Sequence, residues 1–467
     1  MNTQRSGNQL IFQGFGARSV VADFDGGTIT SDAGALLLAA TDRFGEYLRR
    51  FADCFIDHRS QSLVHHSVEQ LVSQRVLGIA LGYEDLNDWE QLRYDELFQL
   101  ICRRVNLGSM RCLDAGEPLA GKSTLNRLEL TPMEADARSR YKKIAYDHEA
   151  IERYFVEVFI SNRHRPPQRI ILDLDATDDR LHGNQEGRFF HGYYDEYCYL
   201  PLYIFCEDEL LWAKLRPANI DASAGATEDL KRIVEQIRLR WPEVEIIVRA
   251  DSGFCRDELM SYCEANGLFY VFGLARNNRL LGKLSKTMKK ARRKFFRAGR
   301  TAQRAYREMR YRTLNSWSCS RRVVGKAEYL SKGENPRFVV TNIRPNVMDA
   351  SFLYEQLYCA RGEMENRIKE QQLYLFADRT STHTMRANQL RLWFSSVAYT
   401  IMSALRRVGL AGTQFARAQC HTIRLKLFKI GARITISARR ILVSLASGCP
   451  YQNEFSLIVA NLSRGSP

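Results

Sequence analysis

The sequence lacks the features that mark secreted, membrane-spanning or zinc-stabilised proteins. Its 11 cysteines are scattered and none belongs to a Cys-x-x-Cys pair, so neither a disulfide framework nor a zinc site built from near neighbours is expected. No apolar run approaches the roughly 18 residues of a membrane span. The N-terminal residues lack the apolar segment of a signal peptide, and no internal repeat is evident. We therefore expect a cytoplasmic protein with reduced cysteines and no membrane partner.

Acidic residues are scarce in two long stretches of the chain. The 467 residues include 68 Lys and Arg against 53 Asp and Glu, a net charge of +15. Residues 276–326 hold 18 of these cations and one acid, and residues 380–467 hold 12 cations and one acid, so the remainder is net acidic. A charge run is often only a solvated surface. Two basic blocks around an acidic centre favour a protein that binds a polyanion such as DNA.

Apolar spacing divides the chain into regions of different character. Residues 1–150 are predicted to be mainly helical and to bind DNA, with helical spacing clearest over residues 68–81. Residues 276–350 begin as a basic helix and then become β-rich, with strands expected at 311–317, 322–330 and 337–341. A helix is predicted within 351–380, and a basic helical region over 381–467.

Residues 165–275 have the element order of an α/β core. We predict a strand, a hairpin, a helix, a strand, a helix and a final strand, in that sequence. This is the order of a ribonuclease H-like core, in which parallel strands carry helices on their faces. The expected fold class is therefore α/β, with a ribonuclease H-like catalytic core interrupted by the β-rich insertion and flanked by helical N- and C-terminal regions.

Three carboxylates lie at positions where active-site residues are expected in such a fold. Asp175 and Asp251 lie at or near the ends of apolar strands, and Glu365 lies on a segment with helical spacing. Strand ends of open sheets gather active-site residues, and carboxylate oxygens bind hard divalent cations. Acids gathered inside a basic protein are suited to two-metal phosphoryl transfer on nucleic acid. Asp173 is the alternative to Asp175, since residues two apart on a strand share a face.

Residues around Glu365 recur at steps of three or four, which places them on one helix face. We predict that Glu365 binds metal while the neighbours on that face contact DNA phosphates, namely Tyr358, Arg361 and Lys369. Further DNA contacts are predicted for the basic clusters of the preceding region, at Arg292, Arg293, Lys294, Arg321 and Arg322.

The chain resembles a known family through the combination of several short segments. These are residues 24–34 (FDGGTITSDAG), 173–177 (DLDAT), 183–187 (GNQEG), 249–254 (RADSGF) and 365–369 (ENRIK). Together they resemble the DDE transposases of bacterial insertion sequences, of the insertion-sequence thirteen-eighty type, over nearly the full length. Related transposases carry a Tyr-x2-Arg-x3-Glu-x6-Lys signature, which Tyr358, Arg361 and Glu365 match. Gln372 stands at the Lys position, and Lys369 is expected to replace it.

This resemblance implies a reaction and its partners. It implies that Asp175, Asp251 and Glu365 hold two Mg²⁺ ions, for which Mn²⁺ substitutes, and catalyse nicking and strand transfer. The DNA partners are the terminal inverted repeats and the target, bound by a homodimer at the bacterial nucleoid. A tryptophan such as Trp317 is most often a core residue; by similarity to relatives that flip a base, the alternative is that Trp317 stacks on an extruded base and contacts DNA.

Other interpretations of the sequence were weighed. Residues 116–123 satisfy the P-loop pattern, but no buried strand precedes them, so a turn at a helix start is preferred. A metal-dependent nuclease without strand transfer would share the three carboxylates. A non-catalytic DNA-binding protein would need only the basic surfaces, and the intact set of acids argues against it.

Overall fold

The computed structural model describes residues 9–12, 20–102, 118–437 and 439–464. Its N-terminal part consists of short helices with small strands between them. The helices are α1 (Leu36–Gly45), α2 (Tyr47–Ala52), α3 (Val68–Leu81), α4 (Trp89–Leu92), α5 (Glu96–Ile101), α6 (Lys122–Glu129) and α7 (His148–Ser161). The strands are β1 (Leu10–Phe12), β2 (Val20–Ala22), β3 (Ile29–Thr30), β4 (Phe55–Asp57) and β5 (Ile144–Tyr146).

Local signals in the sequence explain the bounds of α3, which the apolar spacing predicts correctly. Ser67 and Gln70 form a capping box that satisfies the first free N–H groups of the helix. Gly82 ends the helix with a φ of 97°, a conformation that glycine adopts without steric cost. The P-loop-like segment is only partly visible, since residues 116 and 117 lie outside the described residues; Lys122 begins α6.

The middle of the chain forms one sheet of eight strands with a small three-stranded sheet beside it. The strands are β6 (Arg169–Ala176), β7 (Asp179–Arg180), β8 (Phe189–His191), β9 (Glu196–Tyr199), β10 (Leu202–Cys206), β11 (Glu209–Lys214), β12 (Glu245–Ala250), β13 (Phe269–Leu274), β14 (Gln303–Tyr311), β15 (Arg321–Leu330) and β16 (Gly333–Thr341). The large sheet has the order β11-β10-β6-β12-β13-β16-β15-β14, and the small sheet the order β7-β9-β8. In the large sheet the neighbouring pairs β6–β12 and β12–β13 are parallel, and the other neighbouring pairs are antiparallel.

Helices cover both faces of the large sheet. One face packs against α8 (Ala226–Arg240), α9 (Asp257–Ala265) and α10 (Asn278–Arg297), whose apolar residues share a core with the strands. The segment that leads into Glu365 packs on the other face through α11 (Ala350–Phe352), a π-helical stretch at Leu353–Tyr358 and a 3₁₀ turn at Cys359–Arg361. It continues as α12 (Gly362–Leu375).

The C-terminal region joins the N-terminal helices in a common core. Its elements are α13 (Met385–Val408), α14 (Cys420–Ile423), a π-helical stretch at Arg424–Phe428, β17 (Ala432–Ser437), β18 (Arg440–Leu445) and α15 (Gln452–Arg464). Helix α13 is buried along most of its length and packs with α1, α3 and β11. This region was expected to be helical, and the structure adds a hairpin, β17–β18, which pairs with β3. Among the described helices, none is sufficiently long and apolar to span a bilayer.

The β-rich segment extends the large sheet. Strands β14, β15 and β16 form an antiparallel meander that joins the sheet through β16 and β13. Two of its strands lie where apolar spacing predicts them. The third was misplaced: residues 312–317 form a loop, and the strand β14 precedes them. Its residues are mostly polar and part-exposed at the sheet edge, so their apolar pattern is weak.

A buried ion pair fixes the two central parallel strands. Arg249 on β12 donates from Nη2 to Asp173 Oδ2 at 2.7 Å and from Nε to Asp173 Oδ1 at 2.5 Å. Its Nη1 donates to the Leu357 carbonyl, on the segment that leads into α12. Both side chains are almost fully buried, so loss of one partner leaves an uncompensated group in a low-dielectric interior.

Replacement of Arg249 should therefore destabilise the fold strongly. We expect Arg249→Met to lower the free energy of unfolding by about 3–5 kcal/mol, measured by urea denaturation with circular dichroism. Asp173→Asn combined with Arg249→Met should recover part of this loss, because no buried charge is then left alone. Arg153→Met, at an exposed position, is the control. A destabilisation by Arg249→Met no larger than that of the control would show that the pair contributes little.

Candidate active site

The register of the parallel strands brings Asp175 and Asp251 side by side. Each residue of β12 pairs with the β6 residue 76 positions earlier, as Arg249 does with Asp173 and Ala250 with Leu174. Strand β12 ends at Ala250, and the next residue, Asp251, lines the same cavity as Asp175. The two acids thus meet because both strands end at the same edge of the sheet.

Asp251 is the first residue after β12, where the chain leaves the sheet. It caps the 3₁₀ turn Ser252–Phe254, and its Oδ1 accepts a hydrogen bond from the Gly253 amide at 2.8 Å. Asp175 accepts one from the Ala176 amide at 3.0 Å. Each carboxylate is therefore held by the backbone and keeps oxygen lone pairs for another ligand.

Helix α12 forms one wall of the same cavity. Arg361, Glu365, Lys369 and Gln372 line it together with Asp175 and Asp251, and the cavity volume is about 590 Å³. The prediction of one common helix face is thus confirmed for these four residues. The lining also includes three residues of the β8–β9 hairpin, His191, Tyr193 and Tyr194.

Tyr358 departs from that face because the helix before it is irregular. It ends the π-helical stretch, which has more residues per turn than an α-helix and shifts the side-chain spacing. Its hydroxyl packs against Gly273, where a Cβ would lie 2.6 Å from the oxygen, and beside the backbone of Asp251. Tyr358 therefore packs against the turn that begins at Asp251 and does not line the cavity.

Arg361 holds two of the three acids. Its Nη1 lies 3.3 Å from Asp175 Oδ2, and its Nη2 donates to Glu365 Oε1 at 3.1 Å. The first contact is an ion pair without hydrogen-bond geometry, so Nη1 stays without a hydrogen-bond partner among the described residues. The guanidinium therefore supplies positive charge where the carboxylates crowd together.

Crowding and burial perturb Asp175. Burial is the main cause that raises its pKa from 3.8 to about 6, Arg361 opposes the rise, and the negative charges of Asp251 and Glu365 add to it. The charged form of Asp175 is thus disfavoured in the protein alone. A cation in the cavity would restore it.

The donor atoms suit a hard divalent cation. Asp175, Asp251 and Glu365 offer only carboxylate oxygens, as Mg²⁺ or Mn²⁺ prefers. Within the described residues, no three His, Cys, Asp or Glu side chains lie close enough together to hold an ion as they stand. Arg361 contacts two of the three acids, Asp175 and Glu365. Asp173 is not among the residues that line the cavity, and both of its oxygens accept hydrogen bonds from Arg249.

Helix α10 presents a basic surface to solvent. Its apolar residues face the core, and Arg292, Arg293 and Lys294 are exposed on the outside. None of the three forms an ion pair with a described residue; their charge is available to an anionic partner.

Three expected DNA contacts are corrected by the structure. Trp317 is 3% exposed, packs edge-on against Tyr311 and belongs to the main core of the sheet. Arg321 is paired with Asp257 and Glu264. Arg322 is buried as well, and its guanidinium is bonded to the Ile343 and Met348 carbonyls and to Glu308. These three side chains are buried and pack within the insertion, so they are not exposed to DNA.

Sequence reasoning missed the contribution of the β8–β9 hairpin. No functional role was predicted for His191 or for Tyr193 and Tyr194 after it, yet all three line the cavity. The signal was present as a dense run of aromatic residues over 189–199. Gln372, expected only as a departure from the signature, lines the cavity and donates to the Asp178 carbonyl at 2.9 Å.

Comparison with known proteins gives the family. The model of the transposase DDE domain group 1 matches residues 12–467. The chain belongs to this transposase family. DDE transposases use divalent metal ions and act on DNA. No curated protein matches the sequence. A piggyBac transposase, solved as a synaptic complex with hairpin DNA, is similar at 11% identity and a TM-score of 0.40, over 93% of this chain and 82% of that one.

The raised pKa of Asp175 predicts how stability depends on pH. Between about pH 4 and 6 the folded protein binds a proton at Asp175 that the unfolded chain does not bind, so stability conferred by this group rises as the pH falls through 6. Asp175→Asn has no such proton and should be more stable than wild type at pH 7.5, with the difference closing toward pH 4. Urea denaturation of both metal-free proteins tests this, and a difference that stays constant with pH would contradict it.

Proposed function

We propose that this transposase binds the ends of a bacterial insertion sequence of the thirteen-eighty type and catalyses Mg²⁺-dependent cleavage and strand transfer, with Asp175, Asp251 and Glu365 as its metal ligands. The observation that carries the proposal is the convergence of these acids, from two neighbouring strand ends and one helix, on a single cavity. The family match supports the reaction class.

The strand order supports a ribonuclease H-like core. Strands β11-β10-β6-β12-β13 contain an antiparallel hairpin joined to three parallel strands. That arrangement, with helices on both faces, is the one proposed from the sequence. The meander β14–β16 and helix α10 lie in the chain between Asp251 and Glu365, as the proposed insertion requires.

The three acids would hold Mg²⁺ or Mn²⁺, and such cations, when bound, activate the attacking oxygen and stabilise the leaving oxygen of a phosphodiester. The other tasks belong to the protein. When cations bind the acids, Arg361 would lose its carboxylate partners. The DNA phosphate that enters the cavity is the anion that would pair with Arg361 in their place. Lys369, exposed on the same wall, is placed to contact a neighbouring phosphate.

Neutral isosteres of the acids test this assignment. Asp251→Asn and Glu365→Gln should lower cleavage of a duplex carrying the end of the element by on the order of 10²- to 10³-fold or more, with DNA affinity largely kept. Glu363→Gln is the matched control, since Glu363 is an exposed acid of the same helix outside the cavity lining. Products are sized on a denaturing gel with Mg²⁺ and a target plasmid. Wild-type cleavage by either variant would remove that residue from the metal site, and cleavage without any joined product would favour the nuclease alternative.

The exposed cations of α10 predict a salt effect on binding. If Arg292, Arg293 and Lys294 each contact a phosphate, the triple change to Gln should flatten the slope of log affinity against log salt by about 0.9 per contact. The control is a triple change to Gln at exposed cations that already have acid partners and lie outside the regions predicted to bind DNA, Arg153, Arg169 and Lys231. Fluorescence anisotropy over a salt series measures both. Equal slopes for the two variants would mean that the cluster is only a solvated surface.

A further inference from the structure

Aromatic side chains are concentrated and exposed on the β8–β9 hairpin, residues 189–197, which we call the aromatic hairpin. Phe189, Phe190, Tyr193 and Tyr197 are 41, 52, 85 and 45% exposed. Single exposed aromatic residues are common on proteins, but several on one short hairpin mark a segment that binds something. Nothing in the reaction described so far uses these rings.

The tip of the aromatic hairpin has a defined conformation. Asp195 adopts a φ of 58°, its amide donates to the His191 carbonyl at 2.9 Å, and the Tyr193 amide donates to His191 Nδ1 at 3.3 Å. Tyr194 packs against His191, with ring centroids 4.8 Å apart, and against the small core below it. Tyr193 touches Tyr194 edge-on. Tyr194 therefore anchors the turn while Tyr193 keeps its ring faces largely open to solvent.

The position of the tip limits what it can bind. Tyr193 and Tyr194 line the cavity that contains Asp175 and Asp251, and Lys369 lines the same cavity. A DNA strand that places a phosphate at the acids therefore lies within a cavity that also presents aromatic rings and a cation. At the base of the hairpin, Arg188 lies over the Tyr197 ring at 4.3 Å. Rings beside cations form the common platform for single-stranded nucleic acid.

We propose that the aromatic hairpin binds unpaired bases next to the phosphate that is cut, with Tyr193 as the residue on which a base stacks. This inference deepens the proposed function and rests on it. Duplex DNA hides its base faces, so the rings gain a partner only where strands are separated or an end is single-stranded. The same rings would accept every base, because stacking uses the π-face and not the hydrogen-bonding edge.

The test compares two DNA probes in the absence of divalent cations, so that no cleavage occurs. One is a blunt duplex, and the other is the same duplex with a short 3′ overhang that carries 2-aminopurine. We expect the wild-type protein to bind the overhang probe more tightly and to quench its fluorescence. Tyr193→Ala should lose roughly 5- to 150-fold of this preference, as expected for one stacked base, and most of the quenching. Tyr193→Phe should keep both.

The control is Phe352→Ala, which removes an aromatic side chain of 52% exposure outside the cavity lining and outside the N-terminal region predicted to bind DNA. It should leave the preference unchanged. A wild-type preference in Tyr193→Ala, an equal loss of blunt-duplex binding, or a loss in Tyr193→Phe as large as in Tyr193→Ala would each overturn the proposal. Because these measurements need no catalysis, they fail independently of Asp251→Asn and Glu365→Gln, whose failure would instead overturn the proposed metal site.

Discussion

The side chain of Arg249 connects every element that carries an acid of the candidate site. It binds Asp173 on β6, belongs to β12, and donates to the carbonyl of Leu357 just before α12. A guanidinium is suited to this task because its planar fork makes two parallel bonds to a carboxylate and keeps a further donor for a third partner. Since the pair is buried, the low dielectric strengthens it and makes any misalignment of the strands costly.

The rest of the site follows from this alignment. Asp173 pairs with Arg249 across β6 and β12. Two residues further along the chain from each of them is an acid, Asp175 or Asp251, at the same edge of the sheet. One carboxylate thus serves the fold and its neighbour two residues later faces the cavity, where burial and like charge raise its pKa. The repulsion among the carboxylates is therefore concentrated in the cavity, where bound cations would offset it. Without cations, the guanidinium of Arg361 offsets part of this repulsion.

Sequence reasoning succeeded where local patterns decide the structure. Strands β6, β12 and β13 are continuous apolar runs, and α3 has a capping box and a terminal glycine, so periodicity and end signals agree. The pairing of Asp173 with Arg249 was not predictable, since their contact depends on the register of two strands 76 residues apart. Asp175 was preferred to Asp173 from its place nearer the strand end. In the structure Asp175 lines the cavity and Asp173 pairs with Arg249, while the choice of metal ligand stays a prediction.

The incorrect assignments share one cause. Trp317, Arg321 and Arg322 look like a nucleic-acid surface in the sequence, because an indole among cations is what such surfaces contain. In the folded chain, acids from distant segments neutralise these arginines, and the indole fills the core between α9 and the meander. The aromatic hairpin shows the reverse: its residues look like ordinary strand residues, yet the turn exposes them beside the acids. Composition indicates which residues are able to bind DNA, whereas tertiary pairing decides which of them remain available.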